Sequence, residues 1–229
     1  MAFPLYQRCI LIVQTTAYRF LLVSLSIDAI LAELTITKRK NKLEEMARGN
    51  GLSDAYTEAL RRLREQGGNE SELGMKVLMW VHHSERPLHA DELCHALGVE
   101  MGSEDLDLEN LPDLQIVLSS CCGLVTVDAS SSVVRLVHFS LQEYLLNNSA
   151  LFQSPHSAIA EVCLTYLNFS CLWDLSPTPD SVSPALPLEE YASCYWEKHA
   201  RIGMTEKVRE LVLMLLNRQA APFGRQFVG

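Results

Sequence analysis

The stretch RLVHFSLQEYLL, residues 135 to 146, places His138 between a β-like run and an apolar-periodic helix. An imidazole beside the first turn of a helix sits among unsatisfied backbone donors and the positive end of the dipole, a setting that favours an anion such as phosphate. The same residue, on the pleat face of Val134 and Leu136, also reads as a packed side chain with one satisfied nitrogen. A second group, His82, His83, His89, Cys94 and His95, supplies residue types that ligate zinc, but its spacing fits no finger and no HExxH helix. Exposed histidines beside a helix-turn-helix account for it more simply. Cys121 and Cys122 are adjacent with no cationic neighbour in sequence to activate a thiol, and so read as core. Nowhere does a G-x-S-x-G elbow or a G-x-x-x-x-G-K-[ST] phosphate loop occur, so neither serine hydrolysis nor P-loop chemistry is expected of these residues. No catalytic residue and no metal ligand is assigned.

The elements around His138 follow from periodicity. SELGMKVLMWVHHS, ADELCHALGV and LPDLQIVLSSCC read as three helices, and LVTVD-ASSS-VVRLVHF as a hairpin whose small polar turn separates two β-branched runs. Ser140 and Glu143 form an S-x-x-E pattern that marks a capping box for the next helix. Three helices and a two-stranded hairpin make a winged helix. Further on, Ser154 and Pro155 open the helix of SPHSAIAEVCLTYLNF. Residues 174 to 187, with four prolines, read as a loop, and LEEYASCYWEKHAR and TEKVRELVLMLLNR as two more helices. Upstream, FLLVSLSIDAILAEL (20 to 34) reads as a buried helix. KRKNK (38 to 42) is a solvated basic segment before a short helical piece, and Ser53 is the expected cap of DAYTEALRRLREQ. His89 stands where Ser or Thr would usually cap, a weaker helix start. Trp80, Tyr56, Tyr144, Tyr166 and Trp196 recur at helical spacing with Leu and Val, as packing residues do.

The expected fold class is therefore mainly α. Residues 1–19 are an atypical N-terminal segment, 20–70 a helical linker, 71–150 the winged helix, 151–218 a C-terminal helical domain and 219–229 a tail. A chain of 229 residues, 48% hydrophobic, can bury such a core.

Charge narrows the function. The net charge is −9, and between Arg86 and Arg135 there is no Lys or Arg, whereas nine Asp and Glu residues from Asp91 to Asp128 fall there. A third helix and wing of that sign repel a duplex, so DNA binding through this face is disfavoured. The apolar runs of the first 31 residues are broken by Gln14, Arg19 and Asp28, short of a membrane span. CILIV makes a poor signal core with no small-residue cleavage site after it. Seven scattered cysteines without CxxC spacing suggest a reducing, cytoplasmic setting.

Taken together, RFLLVSLSIDAIL, DAYTEAL, KVLMWVHHSERPLHADELCHALGVE, DLDLENLP, CCGLVTVD, RLVHFSLQEYLL, AEVCLTYLNF and YASCYWEKHAR resemble a known family. It is the region after the nucleotide-binding module of fungal NACHT proteins, often with ankyrin repeats, whose winged helix is named after GPI inositol-deacylase. The resemblance covers about residues 20 to 216. It implies a STAND-type signalling switch in which the winged helix folds over nucleotide, and by position in the motif it implies that His138 contacts the phosphate of ADP. The first 19 residues do not resemble the end of a NACHT module, and no ankyrin repeat follows. The expectation is thus a non-enzymatic regulatory segment, without a cofactor of its own, that meets ADP or ATP only through a NACHT module. Its partner would be that module or a signalling protein, with no nucleic acid and no membrane. A stand-alone interaction adaptor that never meets nucleotide is the other reading.

Overall fold

The computed structural model describes residues 34–47, 52–173 and 186–220. The apolar stretch expected as a buried helix, except its last residue Leu34, which is exposed, lies outside them, as do the first 19 residues, most of the proline-rich loop and nearly all of the tail. The described residues are mainly helical, with one two-stranded sheet among them. The chain divides into two units, residues 1–65 and 66–229.

In the first unit, α1 (Ile36–Ala47) carries the basic segment, with Lys38 and Lys40 exposed. Helix α2 (Leu52–Glu65) buries Tyr56, Ala59, Leu60 and Leu63, the i, i+3, i+4, i+7 stripe of an amphipathic helix. Asp54 near its start and Arg62 and Arg64 near its end complement the dipole. Ser53 is not the cap: it lies inside the first turn, where its carbonyl accepts the Thr57 hydroxyl.

The second unit opens with α3 (Asn69–His83), α4 (Ala90–Gly98) and α5 (Leu114–Ser120). Gly68, at φ 65° and ψ −140°, precedes α3 in a conformation open to glycine. Asp113 caps α5 by accepting the Gln115 N–H. After α5, Cys122 and Gly123 both take positive φ (49° and 77°), which turns the chain sharply into the sheet. Strands β1 (Val125–Val127) and β2 (Val134–Leu136) pair antiparallel, Val125 opposite Leu136 and Val127 opposite Val134. Asp128 closes the loop between them: one carboxylate oxygen accepts from the N–H groups of Ser130 and Ser131 and from the Ser130 hydroxyl. The Ser130 hydroxyl leads these bonds in holding its pKa down to about 2. A third extended piece clips the wing: the Val134 N–H donates to the Leu88 carbonyl (2.8 Å) and the Ala90 N–H to that of Ser132 (2.9 Å), with His89 bridged to Val133.

Helix α6 (Phe139–Asn147) follows, then α7 (Pro155–Leu167), α8 (Leu188–Ile202) and α9 (Glu206–Gln219). Residues 162–169 are all buried, so α7 is apolar around most of its circumference. It packs against α8, α9 and α3, while α8 also touches α4. Trp80 of α3 meets Tyr191 of α8 edge to face, ring centroids 6.0 Å apart. Ser154 holds the position before Pro155, but with φ 44° and no side-chain bond to the helix. Thr205 is a working cap for α9, accepting the Val208 N–H.

Candidate functional site

His138 is the N-cap of α6. Its backbone is extended (φ −159°, ψ 150°), and its Nδ1 accepts the Ser140 N–H at 3.2 Å and lies 2.7 Å from the Ser140 hydroxyl. The expected Ser140–Glu143 capping box is therefore not formed. The helix begins at Phe139, one residue before Ser140, and the imidazole lone pair does the work of a cap oxygen. A ring that accepts at Nδ1 is neutral with its proton on Nε2, so the remaining nitrogen of His138 is a hydrogen-bond donor.

Beside it runs a cleft of about 320 Å³ whose lining includes Ser84, Arg86, Arg135, His138, Phe139 and Gln142. The two arginines that bound the cation-free interval of the sequence are thus brought to one place. They differ in availability. Arg86 is committed: it grips both carboxylate oxygens of Glu92 at 2.8 and 2.6 Å and lies over the Tyr191 ring, 5.3 Å from its centroid. Glu92 is only 5% exposed and also accepts the His89 N–H at 2.7 Å. Burial alone would raise its pKa, but the Arg86 and His89 bonds outweigh it and hold the carboxyl below its usual value. This reverse half of a capping box compensates for the weak start expected at His89. Arg135 is exposed and forms no salt bridge among the described residues. The His138 N–H and the Arg135 guanidinium, which makes no salt bridge but acts on Asp128, can both donate to an anionic group carried by a partner, while the Glu85 carboxylate also lines the cleft and limits how close such a group comes to it.

The other singled-out residues do not gather here. His95 bonds through Nδ1 to the Tyr166 hydroxyl (2.9 Å), His89 caps α4, and the Cys94 thiol is raised in pKa by burial. Among the described residues no three of His, Cys, Asp and Glu form a metal-holding group. Cys121 is fully buried, its thiol pushed up to about 12, and donates to the Val117 carbonyl; Cys122 is half-buried in the turn. Tyr56, Trp80 and Tyr166 are buried as packing residues. What sequence reasoning missed is the meeting of His82 and His83 with His156, His199 and Tyr191. Residues so far apart in the chain leave no spacing signal.

The family described as "GPI inositol-deacylase, winged helix domain" matches residues 63–159, which include α3 to α6, both strands and His138. A curated relative, "Azaphilone pigments biosynthesis cluster protein L" of Monascus ruber, is 30% identical over 162 residues, 61% of this chain and 34% of the relative. The chain spans about a third of that protein's length. No solved structure matches.

Proposed function

We propose that the protein is a non-enzymatic regulatory segment of a NACHT-type signalling switch, its winged helix and following helices packing against a nucleotide-binding module. The observation that carries this reading is the His138 junction. Within the matched winged helix, a neutral imidazole is held by Ser140 so that its other nitrogen donates, beside Arg135, which forms no salt bridge among the described residues. ADP or ATP enters only through the module, whose phosphates His138 and Arg135 would meet. Nucleic acid is not part of the reading, because α5 exposes Gln115, Ile116 and Ser119 and no cation. A cytoplasmic setting and a protein partner are part of the reading; none of the six described cysteines forms a disulfide, and no described helix is long and apolar enough to cross a membrane.

One observation favours the adaptor reading instead: Leu213, Met214 and Leu216 of α9 are about half exposed, with Ile202 and Met204 exposed nearby. Association with a NACHT module, measured with and without ADP, separates the two. His138→Asn keeps a side-chain oxygen to cap α6 but replaces the ring Nε2 with an amide too short to reach as far into the cleft. ADP-dependent affinity is expected to fall about tenfold or more with folding intact, the loss of one charge-assisted contact. Unchanged affinity removes His138 from the site, and ADP-independent binding leaves the adaptor.

A further inference from the structure

Where α3, α7 and α8 meet, four imidazoles and a phenol form one connected group. His82 and His83 end α3, their ring centroids 4.4 Å apart, and Phe152 packs against both. His83 lies 5.3 Å from His156 in the first turn of α7. The Nδ1 atoms of His156 and His199 are 2.9 Å apart, and Nε2 of His199 is 3.0 Å from the Tyr191 hydroxyl, which accepts the Glu85 N–H at 3.1 Å. His199 is fully buried, and Nδ1 of His82 and Nε2 of His83 are buried with no hydrogen-bond partner.

Proton counting decides what this group tolerates. With both rings of the His156–His199 pair neutral, one Nδ1–H donates to the other Nδ1. One added proton is still accommodated, because a cationic His199 can donate from Nε2 to Tyr191 and from Nδ1 to His156. A second added proton sets two N–H groups head to head across 2.9 Å, and the rings must part.

The carboxylates around the group are already engaged with other partners. From the turn after α3, Glu85 is paired with Lys198 of α8 at 3.4 Å, and Arg86 with Glu92 of α4. Glu190 of α8 acts on Arg86, Glu161 of α7 binds the Thr205 hydroxyl, and α6 contributes the uncharged Gln142, which donates to the His82 carbonyl and whose bond to the His82 side chain opposes the effect of burial without cancelling it. Glu85 favours a charged His199, and Lys198 opposes it less strongly; burial and the His156 ring outweigh the Glu85 effect.

We propose that this cluster is an acid-operated latch: closed while its imidazoles are neutral, it frees the start of α7 and the end of α8 from α3 when they charge. The pH window follows from the shifts. Burial first, then neighbouring imidazoles, lower His83 and His199 from 6.5 to about 4, and burial lowers His82. The opened form therefore binds more protons than the closed one between those values. Closure is fully favoured above about pH 6.5 and is lost progressively as pH falls toward 4.

Amide hydrogen exchange on the full chain tests the latch at about pH 7.5 and about pH 5, corrected for intrinsic rates. Protection around residues 156–159 and 198–203 should drop about tenfold or more at the lower pH, the consequence of one pKa unit, while β1, β2 and α5 hold theirs. His156→Gln, whose amide can donate or accept but never charges, should flatten that drop. A loss spread evenly over the second unit, or an equal drop in the variant, overturns the proposal. Should the variant not fold, an NMR titration of the wild-type imidazoles decides instead. His83 and His199 titrating well below 6.5 supports the latch, and unshifted titration of all four rings with α7 and α8 still protected overturns it.

Discussion

His138 and His199 are the same residue type used in opposite ways. His138 is half-exposed and makes its bonds two residues away, to the backbone and hydroxyl of Ser140. His199 is fully buried and bonds through both nitrogens, to His156 43 residues away and to Tyr191 within its own helix. The first fixes where a helix begins and leaves a donor beside a cleft. The second fixes which helices touch, and its neutrality is a condition of the contact. Exposure and range of bonding, rather than residue type, decide which role an imidazole takes.

Arg86 stands between the two regions, lining the cleft on one side and covering Tyr191 on the other. Removing its buried partner is therefore the harshest way to break the contrast. Glu92→Ala should cost about 3 kcal/mol in denaturant unfolding, the low end for an unpaired buried charge because Arg86 keeps about a quarter of its exposure. Both regions should loosen together. Gly203→Ala should disturb the cluster alone. A Cβ there would lie 2.4 Å from the Ser157 N and 2.6 Å from its hydroxyl, forcing α7 and the end of α8 apart at a cost of about 2 kcal/mol. If instead the loss appears at the wing by hydrogen exchange, the two regions are one. The smallest effect belongs to the junction: His138→Ala should lose about 1 kcal/mol of cap energy and His138→Asn almost none. Equal losses would mean that the imidazole is held by packing and not by its bond to Ser140.

These differences also explain what could be read from the sequence. The three helices and the hairpin follow from local periods of 3.6 and 2, and the winged helix they make is what the structure shows. Local signals faltered at the caps. Ser140, Ser53 and Ser154 all carry the right oxygen, yet the helices at the first two start two residues early and Ser154 turns its backbone left-handed. The Leu88–Ala90 clip was illegible because three residues after a proline show no alternation. Arg86 and Arg135 were read only as the ends of an acidic interval; their convergence needs the sheet. The four-histidine group was legible only in part: His82 and His83 drew attention as metal candidates, while their partners lie beyond any local window.

Pro155–Leu167 is covered on nearly all sides, and the matched family region ends at residue 159, inside it. A recombinant fragment stopped there would carry a split helix and bare the apolar faces of α3 that it shields, inviting aggregation rather than yielding a smaller working piece. Expression boundaries for this protein are set by that buried cylinder, not by the edge of the recognisable motif.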